Sequence, residues 1–213
     1  KQGTDAALAM AMGHVIMKEF HLDNPSPYFT DYIRRYTDMP MLVRLHEDGA
    51  GFEPKYFLRA SDIKDGLGET DNTEWKTLVW NTLSDGLAVP NGSIGFRWDG
   101  SQKWNLETRA QGEHTEATLS LKDGHDEVVS VAFSYFAAEK DELVYRKVPA
   151  KRITLADGST TLVATVFDLM AANYGIERGF NDENCASSYD DDKPYTPAWQ
   201  QAHTGVNPEQ VIQ

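Results

Sequence analysis

The period of the apolar residues changes twice along this 213-residue chain, and that change limits the fold more than any single motif. Leu8, Met12, Val15, Ile16 and Phe20 recur at helical spacing, while Ala6, Ala7, Ala9, Ala11 and Gly13 keep the rest of that surface slim. Asp23-Asn24-Pro25 breaks the pattern, and Ser26-Pro27 starts a second helix carrying Phe29, Tyr32, Ile33 and Tyr36. Residues 41–45 and 56–59 read as strands returning on each other across a turn at 47–51, with Ser61-Asp62 capping a short helix that stops near Gly66 or Gly68. Then the texture becomes β-prone: runs at 75–80, 94–98, 117–121, 127–133 and 143–148 alternate with turns such as Ser84-Asp85-Gly86 and Pro90-Asn91-Gly92. Residues 152–155 and 160–164 read as a hairpin around Asp157-Gly158. Helical spacing returns in Val163, Val166, Phe167, Met170 and Tyr174, with Gly175 where a helix C-terminal glycine belongs. Residues 177–192 have no period and read as a loop, and Thr196-Pro197-Ala198-Trp199 opens a helix ending at Gly205. The expected fold is α/β: a nucleotide-binding-like layer from 1–45 and 160–213, interrupted by a β-rich insertion at 46–159.

Hydrophobic residues make up 40% of the chain and aromatics 11%, a composition that folds. The formal net charge of −13 disfavours nucleic acid and anionic membrane surfaces as direct partners, since both would repel it. A single cysteine, Cys185, excludes an internal disulfide and any iron–sulfur or cysteine-rich zinc site built from this chain alone. No apolar run is long enough to span a bilayer, so the segment is expected to be soluble. Asn207-Pro208-Glu209 is a strong helix start that has room for only about one turn, and Lys1 stands directly before the first helix cap. The expectation is an excised piece of a longer polypeptide.

The mouth of the first helix, Gly3-Thr4-Asp5, is the most suggestive polar site. Thr4 reads as an N-cap, Asp5 as a carboxylate complementing the helix dipole, and Gly3 as a point where backbone can approach another molecule. A helix N-terminus can hold an anion, but Asp5 would repel a bare phosphate; a nucleotide with N–H or O–H donors fits better. Plain capping accounts for the same residues. Elsewhere the candidates are weaker. The six histidines, at 14, 21, 46, 114, 125 and 203, make no helical zinc pair, although His14 sits near mid-helix. Pro90-Asn91-Gly92-Ser93-Ile94-Gly95-Phe96-Arg97-Trp98 lacks dinucleotide spacing and reads as a turn entering a strand. Tyr189-Asp190-Asp191-Asp192 lacks the glycine and glutamate of a calcium loop, and the five tryptophans are expected in cores. Cys185 has no neighbouring base that would mark a nucleophile.

Longer runs say more. Gln2-Gly3-Thr4-Asp5-Ala6-Ala7-Leu8-Ala9-Met10-Ala11-Met12-Gly13-His14-Val15 resembles the helix opening of the molybdopterin oxidoreductases. Glu19-Phe20-His21-Leu22-Asp23-Asn24-Pro25-Ser26, Arg34-Arg35-Tyr36-Thr37-Asp38-Met39-Pro40, Glu74-Trp75-Lys76-Thr77, Pro90-Asn91-Gly92-Ser93-Ile94-Gly95-Phe96-Arg97-Trp98, Ala172-Asn173-Tyr174-Gly175 and Tyr195-Thr196-Pro197-Ala198-Trp199 resemble, within it, the alpha subunits of membrane-bound respiratory nitrate reductases. That resemblance implies a catalytic subunit reducing nitrate to nitrite at a molybdenum bis(molybdopterin guanine dinucleotide) centre, serving anaerobic respiration and nitrate assimilation. It assigns Gly3, Thr4 and Asp5 to the guanosine part of a pterin, a partial cofactor site. It also implies that the molybdenum ligand and the ligands of a [4Fe-4S] cluster lie upstream, outside this chain. The implied partners are the remainder of the alpha subunit, an iron–sulfur beta subunit and a membrane gamma subunit, at the cytoplasmic face of the cell membrane. No catalytic or metal-ligating residue is expected within the segment, which alone should be inactive; purified segment turning over nitrate with a reduced dye would overturn that. The competing expectation is a non-catalytic β-rich module for protein interaction or packing.

Overall fold

The computed structural model describes residues 1–90, 109–110, 113–134 and 142–213. The readings of 94–98 as a strand and of the glycine-rich run beyond Pro90, with Trp98 and Trp104, lie outside the described residues. Helices and strands are both present, as an α/β fold requires, and the chain divides into two compact units. One comprises Lys1–Phe29, Val128–Val148 and Leu169–Gln213; the other comprises Thr30–Glu127 and Pro149–Asp168.

In the second unit, β1 (Leu42–Glu47) pairs antiparallel with β2 (Phe52–Phe57), placing Glu47 opposite Phe52 and Val43 opposite Phe57. The returning strand therefore begins earlier than its sequence suggests. Pro54, which cannot donate to a ladder, disguises it, and the register slips between Val43 and Leu45, where Pro54 faces Leu45. Asp48 closes the turn, its carboxylate accepting the Ala50 and Gly51 N–H groups. The two-stranded pair β3 (Val79–Asn81) and β4 (Gly86–Ala88) follows; β5 (Arg109–Ala110) and β6 (Glu113–His114) form another. Residues 117–121 are not a strand: Ala117 makes only an isolated bridge to Asn81. The hairpin around Asp157-Gly158 forms as its sequence predicts, pairing Lys151 with Val163 and Thr154 with Thr160, and β1 adds to its far side through Leu42 and Thr165. These strands belong to a small closed barrel. Leu42, Leu58, Leu78, Leu121, Ile153 and Val163 form a hydrophobic cluster of the second unit, all 6% exposed or less.

After β7 (Glu127–Ser134), the predicted runs 143–148 and 152–155 prove to be one strand, β8 (Leu143–Thr154), followed by β9 (Thr160–Thr165). In the first unit, α1 (Asp5–Ile16) continues into a π-helical turn, Met17–Asp23; α2 (Pro27–Tyr36) runs on into the stretch that opens the second unit, and α3 (Val166–Asn173) starts in the second unit and ends in the first. α4 (Pro197–Thr204) and α5 (Pro208–Ile212) have the expected caps. Thr196 Oγ1 accepts the Trp199 N–H at 3.0 Å, Asn207 Oδ1 accepts the Glu209 N–H at 3.0 Å, and Gly205 ends α4 at φ 81°.

α1 turns its small face inward. Ala7, Ala11 and Val15 are buried, with Ala7 against Tyr195 and, in α4, Trp199, whereas Met12, Ile16 and Phe20 face outward. The helical period is as expected, but the larger stripe is not the one that meets this unit's core. The reason is local: Tyr174 lies across Gly13, where an added Cβ would come within 2.4 Å of its ring. Only a face without bulk admits that contact. Beside it, His14 is 1% exposed, with Nδ1 2.7 Å from the Tyr174 carbonyl oxygen. A carbonyl accepts only, so Nδ1 carries the hydrogen.

Burial, the dominant effect, lowers the His14 pKa to about 4; the bond to Tyr174 opposes it, and the charges of Lys18 and Arg146 reinforce it. The folded state thus refuses a proton that the unfolded state, with the ordinary value of 6.5, accepts. Stability from this group is complete above the unfolded value and is lost as the pH falls toward 4, by about 3 kcal/mol. Urea unfolding between pH 4.5 and 7.5 should show that loss, and the His14→Gln variant should lack it.

Candidate functional site

Local backbone geometry decides how the mouth of α1 is presented. Gly3 has φ +75°, a left-handed conformation, and no atom lies within 4 Å of where a Cβ would stand. Glycine is needed there for its dihedral, not for crowding within this chain. Thr4 occupies the N-cap position, yet its side chain makes no cap bond. At φ −118° and ψ 15° it lacks the extended geometry that folds a hydroxyl back over the first turn, and Oγ1 instead donates to the Lys1 carbonyl at 2.6 Å. The expected capping bond is therefore absent. Asp5 is exposed in the first turn, and its carboxylate makes no hydrogen bond or ion pair with any described residue. A 12-residue helix thus ends in open amides beside an exposed acceptor.

The other sequence candidates separate into structural parts. Glu177 accepts the N–H groups of Gly179, Asn181 and Asp182, ordering the predicted 177–192 loop. Asp191 accepts the Ser187 and Ser188 N–H groups, which hold its carboxyl below the usual range, so the acidic run is a turn. Burial, with Asp182 adjoining, pushes the Cys185 thiol far up; its Sγ lies 3.4 Å from the Asp182 carboxylate. A thiol so held is no nucleophile. Trp199 is buried in the first unit, Trp80 packs against the core of the second under Lys151, and Trp75 is half exposed. Among the described residues no group of three or more His, Cys, Asp or Glu side chains could hold a metal ion. Nor is any described helix long and apolar enough to cross a membrane.

Sequence reading missed Arg146. It is 1% exposed, and its guanidinium donates to the carbonyls of Ala172 and Asn173, at the end of α3, of Pro194 and of Asn184, at 2.7–3.2 Å. A lone arginine in a β-prone run gave no motif, because its partners are backbone oxygens of distant residues. Arg146 also lines an open cavity of about 380 Å³ with Glu183, Asn184 and Lys193. Lys193 is committed there, its Nζ donating to the Cys185 carbonyl at 2.9 Å. These cations hold loops together. Asp168, fully buried, plays a similar part in the second unit by accepting from Ser120 Oγ and the Leu121 N–H.

With an open helix mouth as the exposed polar feature, comparison with known proteins becomes informative. No protein-family model matches the chain. It is 56% identical to the respiratory nitrate reductase 1 alpha chain of Escherichia coli, over all of this chain and 18% of that protein. Against the respiratory nitrate reductase alpha chain of Bradyrhizobium the figures are 46%, all of this chain and 21%; against the nitrate reductase alpha chain of Bacillus subtilis, 42%, all of this chain and 17%. The chain spans about a fifth of the length of the curated relatives it matches. It belongs to the nitrate reductase alpha-chain family.

Proposed function

We propose that this chain forms one wall of the cofactor site of a nitrate reductase, a site holding molybdenum between two guanylated pterins. The observation that carries the reading is the match, along the whole chain, to nitrate reductase alpha chains. The chemistry of the α1 mouth supports the role given to it. A carboxylate accepts and cannot donate, and guanine N1–H, its exocyclic amine and the ribose hydroxyls are donors of the kind Asp5 lacks. With its hydrogen directed to Lys1, the Thr4 hydroxyl keeps lone pairs for the same donors. Gly3 brings bare backbone alongside. The bound group would supply the electron transfer that converts nitrate to nitrite, while these residues hold and orient its nucleotide end. Residues 1–45 and 160–213 form the layer that meets the cofactor, and 46–159 is an insertion into it. The metal ligand and a [4Fe-4S] cluster belong to the remainder of the alpha subunit, which works with a beta and a gamma subunit at the cytoplasmic face of the membrane.

The test is Asp5→Ala in a full-length alpha chain carrying this segment. Loss of charge-assisted hydrogen bonds worth about 1.5–3 kcal/mol should lower retained guanylated pterin by about tenfold or more. The thermal midpoint of unfolding should hold, because an exposed first-turn carboxylate contributes only about 0.3–1 kcal/mol. Pterin content equal to that of the parent would remove Asp5 from the site.

A further inference from the structure

We propose that the outward face of α1 and its π-helical continuation, formed by Met12, Ile16 and Phe20 together with Phe29, is a docking surface for alpha-chain polypeptide outside the stretch that this chain matches. The proposal rests on the reading that the chain works as part of an alpha chain. Met12 and Ile16 are each 48% exposed, Phe20 46% and Phe29 40%. The first three recur every fourth residue along one line, and Phe29 meets Phe20 edge to face with ring centroids 6.1 Å apart. The His21 ring stands against Phe29 in the same way, at 5.9 Å. Four such side chains leave on the order of 300 Å² of contiguous apolar surface, the size at which a patch marks an interaction.

Helix α1 is apolar on both sides, its small side already buried against its own unit. A helix apolar all round is one that is covered all round. What covers the second side follows from size and length. Roughly four-fifths of each relative lies outside the match. A patch of about 300 Å² is well short of the ~800 Å² per partner of a stable complex between separate proteins, so a second copy is a poor occupant. A tethered segment escapes the rotational and translational cost of association and needs far less area. A net charge of −13 disfavours an anionic lipid surface.

The test places the photo-cross-linker p-benzoylphenylalanine at Ile16 of a full-length alpha chain carrying this segment, with a second preparation carrying it at the exposed Glu47 as control. After irradiation, cross-linked peptides are mapped by mass spectrometry. The expected result is a dominant cross-link from position 16 to a peptide of the same polypeptide outside this 213-residue stretch, unchanged on dilution and absent from position 47. A cross-link to a second copy, to a different protein or to lipid would overturn the proposal, as would quenching by solvent alone. Since cofactor plays no part in the readout, the Asp5 experiment and this one can fail independently.

Discussion

Replacing Arg146 with methionine should cost about 3–5 kcal/mol. Methionine fills part of the space but leaves the carbonyls of Ala172, Asn173, Pro194 and Asn184 without their donor, that of Ala172 fully buried. Each loses a charge-assisted bond, and two of them stand at the negative end of α3. Lysine should recover only part of the loss, because one ammonium cannot reproduce a planar fork serving several carbonyls at once. Urea denaturation of parent, Arg146→Lys and Arg146→Met should give midpoints falling in that order. Equal midpoints for the lysine variant and the parent would mean that charge alone matters at this position.

Gly175→Ala should destabilise by about 3 kcal/mol or more, for two separable reasons. At φ +72° an L-residue pays a conformational cost of about 1–2 kcal/mol. In addition, the new Cβ would stand 2.3 Å from the Pro194 carbonyl oxygen, backbone that cannot move aside cheaply, and 3.1 Å from the Arg146 guanidinium. That carbonyl accepts from Arg146 at 2.7 Å, so the clash also breaks a bond of the same cluster. Gly158→Ala is the control: φ is +84° at the tip of the hairpin, but nothing lies within 4 Å. It should lose only the conformational part, about 1 kcal/mol. Unfolding midpoints of the two variants measure the difference; equal losses would show that the Arg146 cluster yields without cost.

Elements specified by local chemistry were the legible ones. Thr196-Pro197, Asn207-Pro208 and Gly205 act where their residue types say they should, and Asp157-Gly158 makes its hairpin. Less was legible where two readings share one pattern. α1 carries an apolar stripe on each of two faces, and nothing in the spacing says which face belongs to its own unit; the Tyr174 ring over Gly13 decides it. Pro54 hid the start of β2, and Pro149 split β8 into two apparent runs. Arg146, with backbone carbonyls as partners, was invisible. The mouth of α1 was read correctly as a helix start and wrongly as a side-chain cap, since Thr4 has the residue type but not the dihedrals. Assigning Gly3, Thr4 and Asp5 to a nucleotide came from the longer runs of resemblance, because three small polar residues carry too little information alone.

Each compact unit is assembled from separated stretches, and that fixes an order of events during synthesis. The last stretch of the second unit closes at Asp168, while the first unit needs Leu169–Gln213 before Ala7 can meet Tyr195 and Trp199. The opening helix thus leaves the ribosome well before the residues of its own unit that it packs against. Until then both of its faces are bare, and Met12, Ile16 and Phe20 stay so in the finished unit. Until its partners emerge, that helix offers a chaperone an apolar face on either side.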